Sequence, residues 1–266
     1  MISAMLKSRG FKIPELRYER IYWALFFLIV ITILYGAVDK KKSSFAQELQ
    51  VNVIPLEGGD RLISEKDVKN ALNRSFGTSL GSTELARLEV ERIERALEED
   101  PFVLNADSYV DQHNVLHVRI EQRAPLVRIL DNHGDNYYLA PDGVRMPPSK
   151  NFTAHVLVAT GNIPIYTPDY RDQKKNKIND LMLLCETIQA DDILRAFIQQ
   201  IHINNAGEFI LVPLVGDQKI ILGSIKNLED KIERLKIFYK EGMPYAGWSA
   251  YKSINLAIKG QVICKK

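Results

Sequence analysis

Eighteen consecutive residues without a charge, Ile21 to Val38 (IYWALFFLIVITILYGAV), limit what this chain can be more than any other stretch. As a helix rising about 1.5 Å per residue, such a run reaches about 27 Å, close to the ~30 Å hydrocarbon core of a bilayer. It reads as one transmembrane helix. Tyr22 and Trp23 at one end and Tyr35 at the other suit the two headgroup belts, and charges close both ends. A cleaved signal peptide is the competing reading, but its apolar region is shorter, about 7 to 15 residues, and ends at a small-x-small site, which is missing after this run. A buried soluble helix would show a polar face.

The flanks set an orientation. Lys7, Arg9, Lys12, Arg17 and Arg20 precede the run and only Lys40, Lys41 and Lys42 follow it, which predicts a cytoplasmic N-terminus. The expected division is a cytoplasmic tail over 1–20, a membrane helix over 21–38, a linker over 39–47 and an extracytoplasmic remainder. The whole chain carries 35 Lys and Arg against 33 Asp and Glu. Eight of those cations and three of those acids lie in residues 1–42, so the outer part is slightly acidic. That excludes the basic surface a nucleic-acid binder needs. Of the two cysteines, Cys185 sits in an apolar helical pattern and Cys264 near the end; both read as free thiols, Cys185 buried.

Beyond the linker, Leu49, Val51, Val53 and Pro55 alternate as in a strand. Gly58-Gly59-Asp60 turns the chain, and Ser64 followed by Asp67 has the spacing of a capping box before the helical positions Val68, Ala71, Leu72 and Phe76. A second helix is expected to end at Asp100-Pro101, with Leu85, Leu88, Ile93 and Leu97 apolar. The period then falls to two. Leu104, Ala106, Ser108 and Val110 are expected on one face, Asp111–Asn114 in a turn, and Leu116, Val118 and Ile120 on the same face of the returning strand. The unit is strand, helix, helix, strand, strand.

That order resembles a POTRA domain, and Glu99-Asp100-Pro101-Phe102-Val103 together with Glu121-Gln122-Arg123-Ala124-Pro125 resembles the helix-ending N-P-Y-V and strand-ending E-R-x-P motifs of the bacterial division family FtsQ, called DivIB in Gram-positive lineages. Asp100 replaces the usual Asn, and Gln122 the usual Glu. Tyr137–Val144, with Asp142-Gly143 at its turn, and Val156–Gly161 resemble later strands of the same family. The resemblance implies an α+β fold: a single transmembrane helix, a POTRA domain (β-α-α-β-β) over 48–123, and a C-terminal mixed α/β domain with a mainly antiparallel sheet over 124–266.

Within the latter, Leu126–Leu130 predicts a strand, Tyr166–Lys177 a surface loop, and Ile178, Leu181, Met182 and Cys185 a helix, with helical spacing again at Ile193, Leu194, Phe197 and Ile198. Strands follow at Ile201–Ile203, Glu208–Leu214 and Lys219–Leu222. A last amphipathic helix carries Leu228, Ile232, Leu235, Phe238 and Tyr239, with Glu229, Asp230, Glu233, Arg234 and Lys236 on its polar side. Gly242–Gly247 reads as a break, and Ser253–Cys264 as one final strand with Ile254, Leu256 and Ile258 inward.

Catalytic motifs are sparse. His113 and His117 fall on a hairpin, where a spacing of four brings no shared metal site. Ser249-Ala250-Tyr251-Lys252 matches S-x-x-K, but the companion motifs of such enzymes come from distant parts of a chain, so the match is coincidental. No Walker loop, H-E-x-x-H, G-x-S-x-G or dinucleotide fingerprint occurs. No catalytic residue, metal ligand or cofactor is expected, and an enzymatic role ranks below a binding one.

A binding role has a physical route, since an edge strand can accept a strand from another chain. The resemblance implies that the last strand and the preceding helix contact the division partner FtsB, which travels with FtsL. Carried onto this chain, the partner-binding residues are Trp248, Tyr251, Ser253, Ile254, Asn255, Leu256, Ala257, Ile258, Lys259, Gly260, Gln261 and Val262. Trp248 and Tyr251 are anchors or ordinary packing, and Arg61–Lys66 and Asp111–Asn114 are exposed contact candidates. The expected function is a scaffold in the inner membrane that links division proteins to control septal wall synthesis. The alternative is a POTRA-bearing component that receives or translocates polypeptides.

Overall fold

The computed structural model describes residues 18–42, 48–77, 89–248 and 250–266. Most of the expected tail, most of the linker after Lys42, and the positions Leu85, Leu88 and Ser249 lie outside them. Helix α1 runs Tyr18–Lys42. Its described side chains are mostly exposed and apolar, among them Trp23, Phe27, Leu28, Ile33 and Tyr35, and the Thr32 hydroxyl donates back to Leu28 O and Ile29 O. Trp23, Phe26 and Phe27 contact one another along one flank. Among the described residues no helix is long and apolar enough to cross a membrane.

The first folded unit comprises β1 (Glu48–Ile54), α2 (Glu65–Phe76), α3 (Val90–Glu98), β2 (Val103–Val110) and β3 (Val115–Gln122). The strands form a sheet in the order β1-β3-β2, with β1 parallel and β2 antiparallel to β3. The local signals of α2 act as read: Ser64 Oγ accepts from Asp67 N at 3.2 Å, Asp67 returns the bond to Ser64 N at 3.0 Å, and Gly77 closes the helix at φ 66°. Val68 and Leu72 of α2 and Ile93 and Leu97 of α3 pack on Val53, Val118 and Ile120. One expectation fails. The pairing of β2 with β3 shifts between Val103 and Asn105, so Val103 is buried and Leu104 is 46% exposed. A bulge advances the alternation by one residue.

The two motifs that carried the family resemblance meet in space. Arg123 donates through Nε to Pro101 O at 3.0 Å and through Nη2 to Val103 O at 2.8 Å, and pairs through Nη1 with Asp142. Asp100 accepts from Phe102 N at 3.0 Å, so Asp serves where the family pattern has Asn. Gln122 is buried; its Oε1 accepts from Leu62 N at 2.6 Å and Ile63 N at 3.2 Å, and its Nε2 donates to Ile54 O at 2.7 Å. An ionised carboxylate could not make that donated bond. Leu62 and Ile63 are therefore buried, which corrects the reading of Arg61–Lys66 as an exposed stretch.

The second sheet has nine strands: β4 (Val127–Asp131), β5 (Asn136–Leu139), β6 (Arg145–Met146), β7 (Leu157–Gly161), β8 (Ile198–Ile203), β9 (Phe209–Pro213), β10 (Lys219–Gly223), β11 (Ser253–Asn255) and β12 (Ile263–Lys265), in the order β12-β11-β10-β9-β8-β7-β4-β5-β6. It is mixed, with β4–β7, β7–β8 and β10–β11 parallel. One face, including Ile129, Ala159, Ile201, Leu211 and Ile220, shares a core with α4 (Lys177–Gln189) and α6 (Leu228–Ile237). A short helix, α5 (Asp192–Phe197), joins α4 to β8. The Tyr166–Lys177 segment is less superficial than expected, because a single 3-10 turn buries Tyr170 in this core. Helical spacing at Ile193 also misleads: Ile193 is 65% exposed and Ile198 opens β8.

A third small core joins the two units. Leu62 packs with Tyr138, Ala140 and Met146, and Ser149 Oγ and Asn151 Nδ2 both donate to Leu62 O.

Candidate interaction edge

The largest correction concerns the C-terminus. Ser253–Cys264 is two short strands and a connecting loop. β11 lies inside the sheet, parallel to β10 on one side and antiparallel to β12 on the other. Ser253, Ile254 and Asn255 thus have both backbone sides paired, and the edge passes to Ile263–Lys265, wholly beyond the partner-binding residues assigned from sequence.

The reason lies in residues 256–262. Leu256 donates to Ile221 O at 2.9 Å and buries its side chain. Ala257 N then turns back onto Asn255 Oδ1 at 2.8 Å, and Gly260 takes φ 70°, where a side chain is strained. Ala257, Ile258, Lys259, Gly260 and Gln261 are exposed in the loop, and Val262 returns to the core. Ile258 is 46% exposed, against the expectation that it points inward. Arg234 of α6 holds this loop. Its guanidinium donates to Leu256 O at 3.3 Å, Ile258 O at 3.1 Å and Gln261 O, while Asp230 accepts from its Nε and Nη2 at 3.0 and 2.8 Å. The planar fork suits several acceptors at once.

Trp248 and Tyr251 join an aromatic chain beside this edge. Tyr239 contacts Phe197 at 4.4 Å and Trp248 at 5.9 Å between ring centres, and Tyr251 lies 6.0 Å from Phe238. The supposed break at Gly242–Gly247 is ordered: a π turn, Phe238–Gly242, leads into the short helix α7 (Met243–Ala246), with Met243 N bonded to Phe238 O. A Cβ on Gly242 would meet the Phe238 ring at 3.1 Å. Tyr239 Oη accepts from Gln218 Nε2 at 2.9 Å, and burial raises its pKa.

Between α5 and α6 runs an apolar groove of about 820 Å³ lined by Ile193, Phe197, Ile232, Ile237, Tyr239 and Trp248. Trp248 is 46% exposed, so it is a side wall of this groove and not a core residue. Lys236 of α6 crosses to Asp191 at 2.7 Å, and Asp191 also caps α5 by accepting from Ile193 N and Leu194 N. That lysine, followed by the capping bonds, lowers the carboxyl pKa. Sequence reasoning placed α6 beside the site but missed the groove, whose wall α5 supplies. No local signal gave the groove away, because its two walls meet only through tertiary packing.

Elsewhere, His117 Nε2 lies 3.1 Å from Asp111 Oδ2, and its ring stacks on Tyr109 at 4.9 Å. Among the described residues no group of three or more His, Cys, Asp or Glu could hold a metal ion. Cys185 and Cys264 are free, and desolvation raises the pKa of both.

No curated protein matches the chain. Residues 46–121 match the family model described as a POTRA-like domain, and residues 124–265 match the one described as FtsQ/DivIB, C-terminal related. The second match covers more than half of the sequence, and the chain belongs to the FtsQ/DivIB-related family.

Proposed function

We propose that this protein is a non-enzymatic division scaffold, anchored in the inner membrane by Ile21–Val38 with its N-terminus in the cytoplasm, whose outer part captures a segment of an FtsB- or FtsL-like partner. One observation carries the reading: β12 ends the strand order, so one side of its backbone faces no other strand among the described residues. An extended partner segment added there gains main-chain bonds, and the apolar groove under the neighbouring helices offers room for a second, side-chain contact. The anchor is supported by the charge-free run within the 25-residue helix α1 and by its exposed aromatic and aliphatic side chains. Anchoring scaffold and partner in one membrane raises their effective concentration.

Binding of the full chain in nanodiscs to the outer segment of the organism's own FtsB-like protein tests this. Cys264→Pro removes a backbone donor in the middle of β12. The expected result is at least a tenfold loss of affinity with the circular dichroism and melting curve retained. Ile258→Pro, which alters only the connecting loop, should change it far less. Equal binding by wild type and Cys264→Pro would sink the edge-strand reading. A polypeptide-receiving role has its own support, because β1 and β2 leave both edges of the three-stranded sheet without a strand partner among the described residues. That role predicts binding of unrelated extended peptides, unaffected by Cys264→Pro.

A further inference from the structure

We infer that the cavity at the start of α6 is an oxyanion site that takes one carboxylate or phosphate group, independently of whether β12 accepts a strand. The cavity measures about 250 Å³, and Lys226, Lys231, Arg234 and Lys259 line it with a single carboxylate, Asp230. That carboxylate is already engaged, because both of its described bonds come from Arg234.

Lys231 is the decisive residue. Only 5% of it is exposed, and it lies on the buried stripe of α6 with Leu228, Ile232 and Leu235. Its Nζ donates to Leu222 O at 2.9 Å and Ser224 O at 2.7 Å. An ammonium has three N–H groups, so one donor remains with no protein partner among the described residues. The one carboxylate lining the cavity, Asp230, is shared with Arg234, so the charge around Lys231 stays net positive, and an anion in this cavity would offset it.

The surroundings point the same way. Lys226 and Lys259 are exposed on either side, and neither makes a hydrogen bond or ion pair among the described residues. Asn227 precedes α6 at φ 55° and gives no side-chain cap, so the positive end of a ten-residue helix opens beside them. Backbone N–H groups at a helix start, with charged donors nearby, suit a carboxylate or phosphate oxygen. The volume is ample for one such group and its waters.

The test uses the full chain in nanodiscs at low ionic strength, titrated by calorimetry with inorganic phosphate in one arm and N-acetylglutamate in the other. The comparison is wild type, Lys226→Glu/Lys259→Glu, and Lys174→Glu as an exposed control. All retained side chains in the core are untouched, and a melting curve without added anion checks folding. The inference expects saturable millimolar binding, weakened at least tenfold in the double variant and unchanged in the control, and lost as salt screens it. Phosphate bound about tenfold tighter than N-acetylglutamate would identify a phosphoryl source; equal or tighter N-acetylglutamate would identify an acidic side chain. Absence of saturable binding of either anion, or equal binding by wild type and the double variant, would overturn the site.

Discussion

The two ends of the nine-stranded sheet meet the same difficulty differently. At the β6 end the sheet abuts the three-stranded unit: Met146 and Tyr138 are buried against Leu62, and Ser149 and Asn151 reach the Leu62 carbonyl. At the β12 end no further strand pairs among the described residues, and Ile263 is 44% exposed. An unpaired edge invites another strand, and proteins usually blunt or cover it. Here one end is closed within the chain and the other is only steadied from behind, by Arg234 on the loop and by the aromatic chain through Tyr239. The difference separates a joint, which should resist change, from a surface that remains available.

The sharpest way to break this contrast is at the joint. Gln122→Leu leaves the Leu62 and Ile63 N–H groups and the Ile54 carbonyl without their partner in a buried place. The expected loss is about 2–4 kcal/mol of unfolding free energy, measured by urea denaturation. The β12 edge should bind its partner normally in the fraction that remains folded. A loss below ~1 kcal/mol would mean that the Gln122 bonds are not what sets Leu62 in its place at the joint.

At the open end, Arg234→Met should cost less, about 1–2 kcal/mol, because the guanidinium is lost from a loop that water can still solvate. Its signature is local. Amide exchange should quicken over 256–265 while the strands β4, β7 and β8 keep their protection. Uniform quickening across the sheet would show that the loop and the core open together, and the contrast between steadied edge and rigid body would fail. Trp248→Ala should lie lower still in stability, under ~1 kcal/mol, since the ring is half-exposed. Partner affinity is where that change is expected to show, at least fivefold by the same nanodisc assay.

How far the sequence could be read differs between these ends for a physical reason. Capping, alternation and turn residues act within a few positions, so α2, β3 and the β2–β3 turn were legible from Ser64, Val118 and Asp111–Asn114 alone. Ser253–Cys264 alternates well enough for one strand, but its outcome depends on Arg234, twenty or more residues away, and on the left-handed Gly260. The bulge that exposes Leu104 is likewise decided by pairing with β3 and not by its own residues. Lys231 was open to detection, standing three residues after Leu228 and four before Leu235, in the middle of an apolar stripe. The groove was not, because its walls come from elements joined only by tertiary packing.

The smallest effect concerns how the groove is held. Asp191 caps α5 and accepts from Lys236 of α6, so one carboxylate ties the two walls together. Its pKa is lowered in the folded protein, first by the lysine and then by the capping bonds. A depressed carboxyl pKa contributes stability that is present above the unfolded value of about 3.9 and fades as pH falls through the folded value. Asp191→Asn keeps an oxygen for the cap but removes the charge. At pH 7 the variant should be less stable by under ~1 kcal/mol, since both partners are partly solvated. Wild type and variant should begin to converge below the unfolded value of about 3.9 and meet only once pH has fallen through the lower native value, where the native carboxylate also becomes neutral. Unfolding measured from pH 7 to 2.5 checks this, and a gap that stays constant across that range would assign Asp191 to the cap alone and leave the groove walls independent of charge.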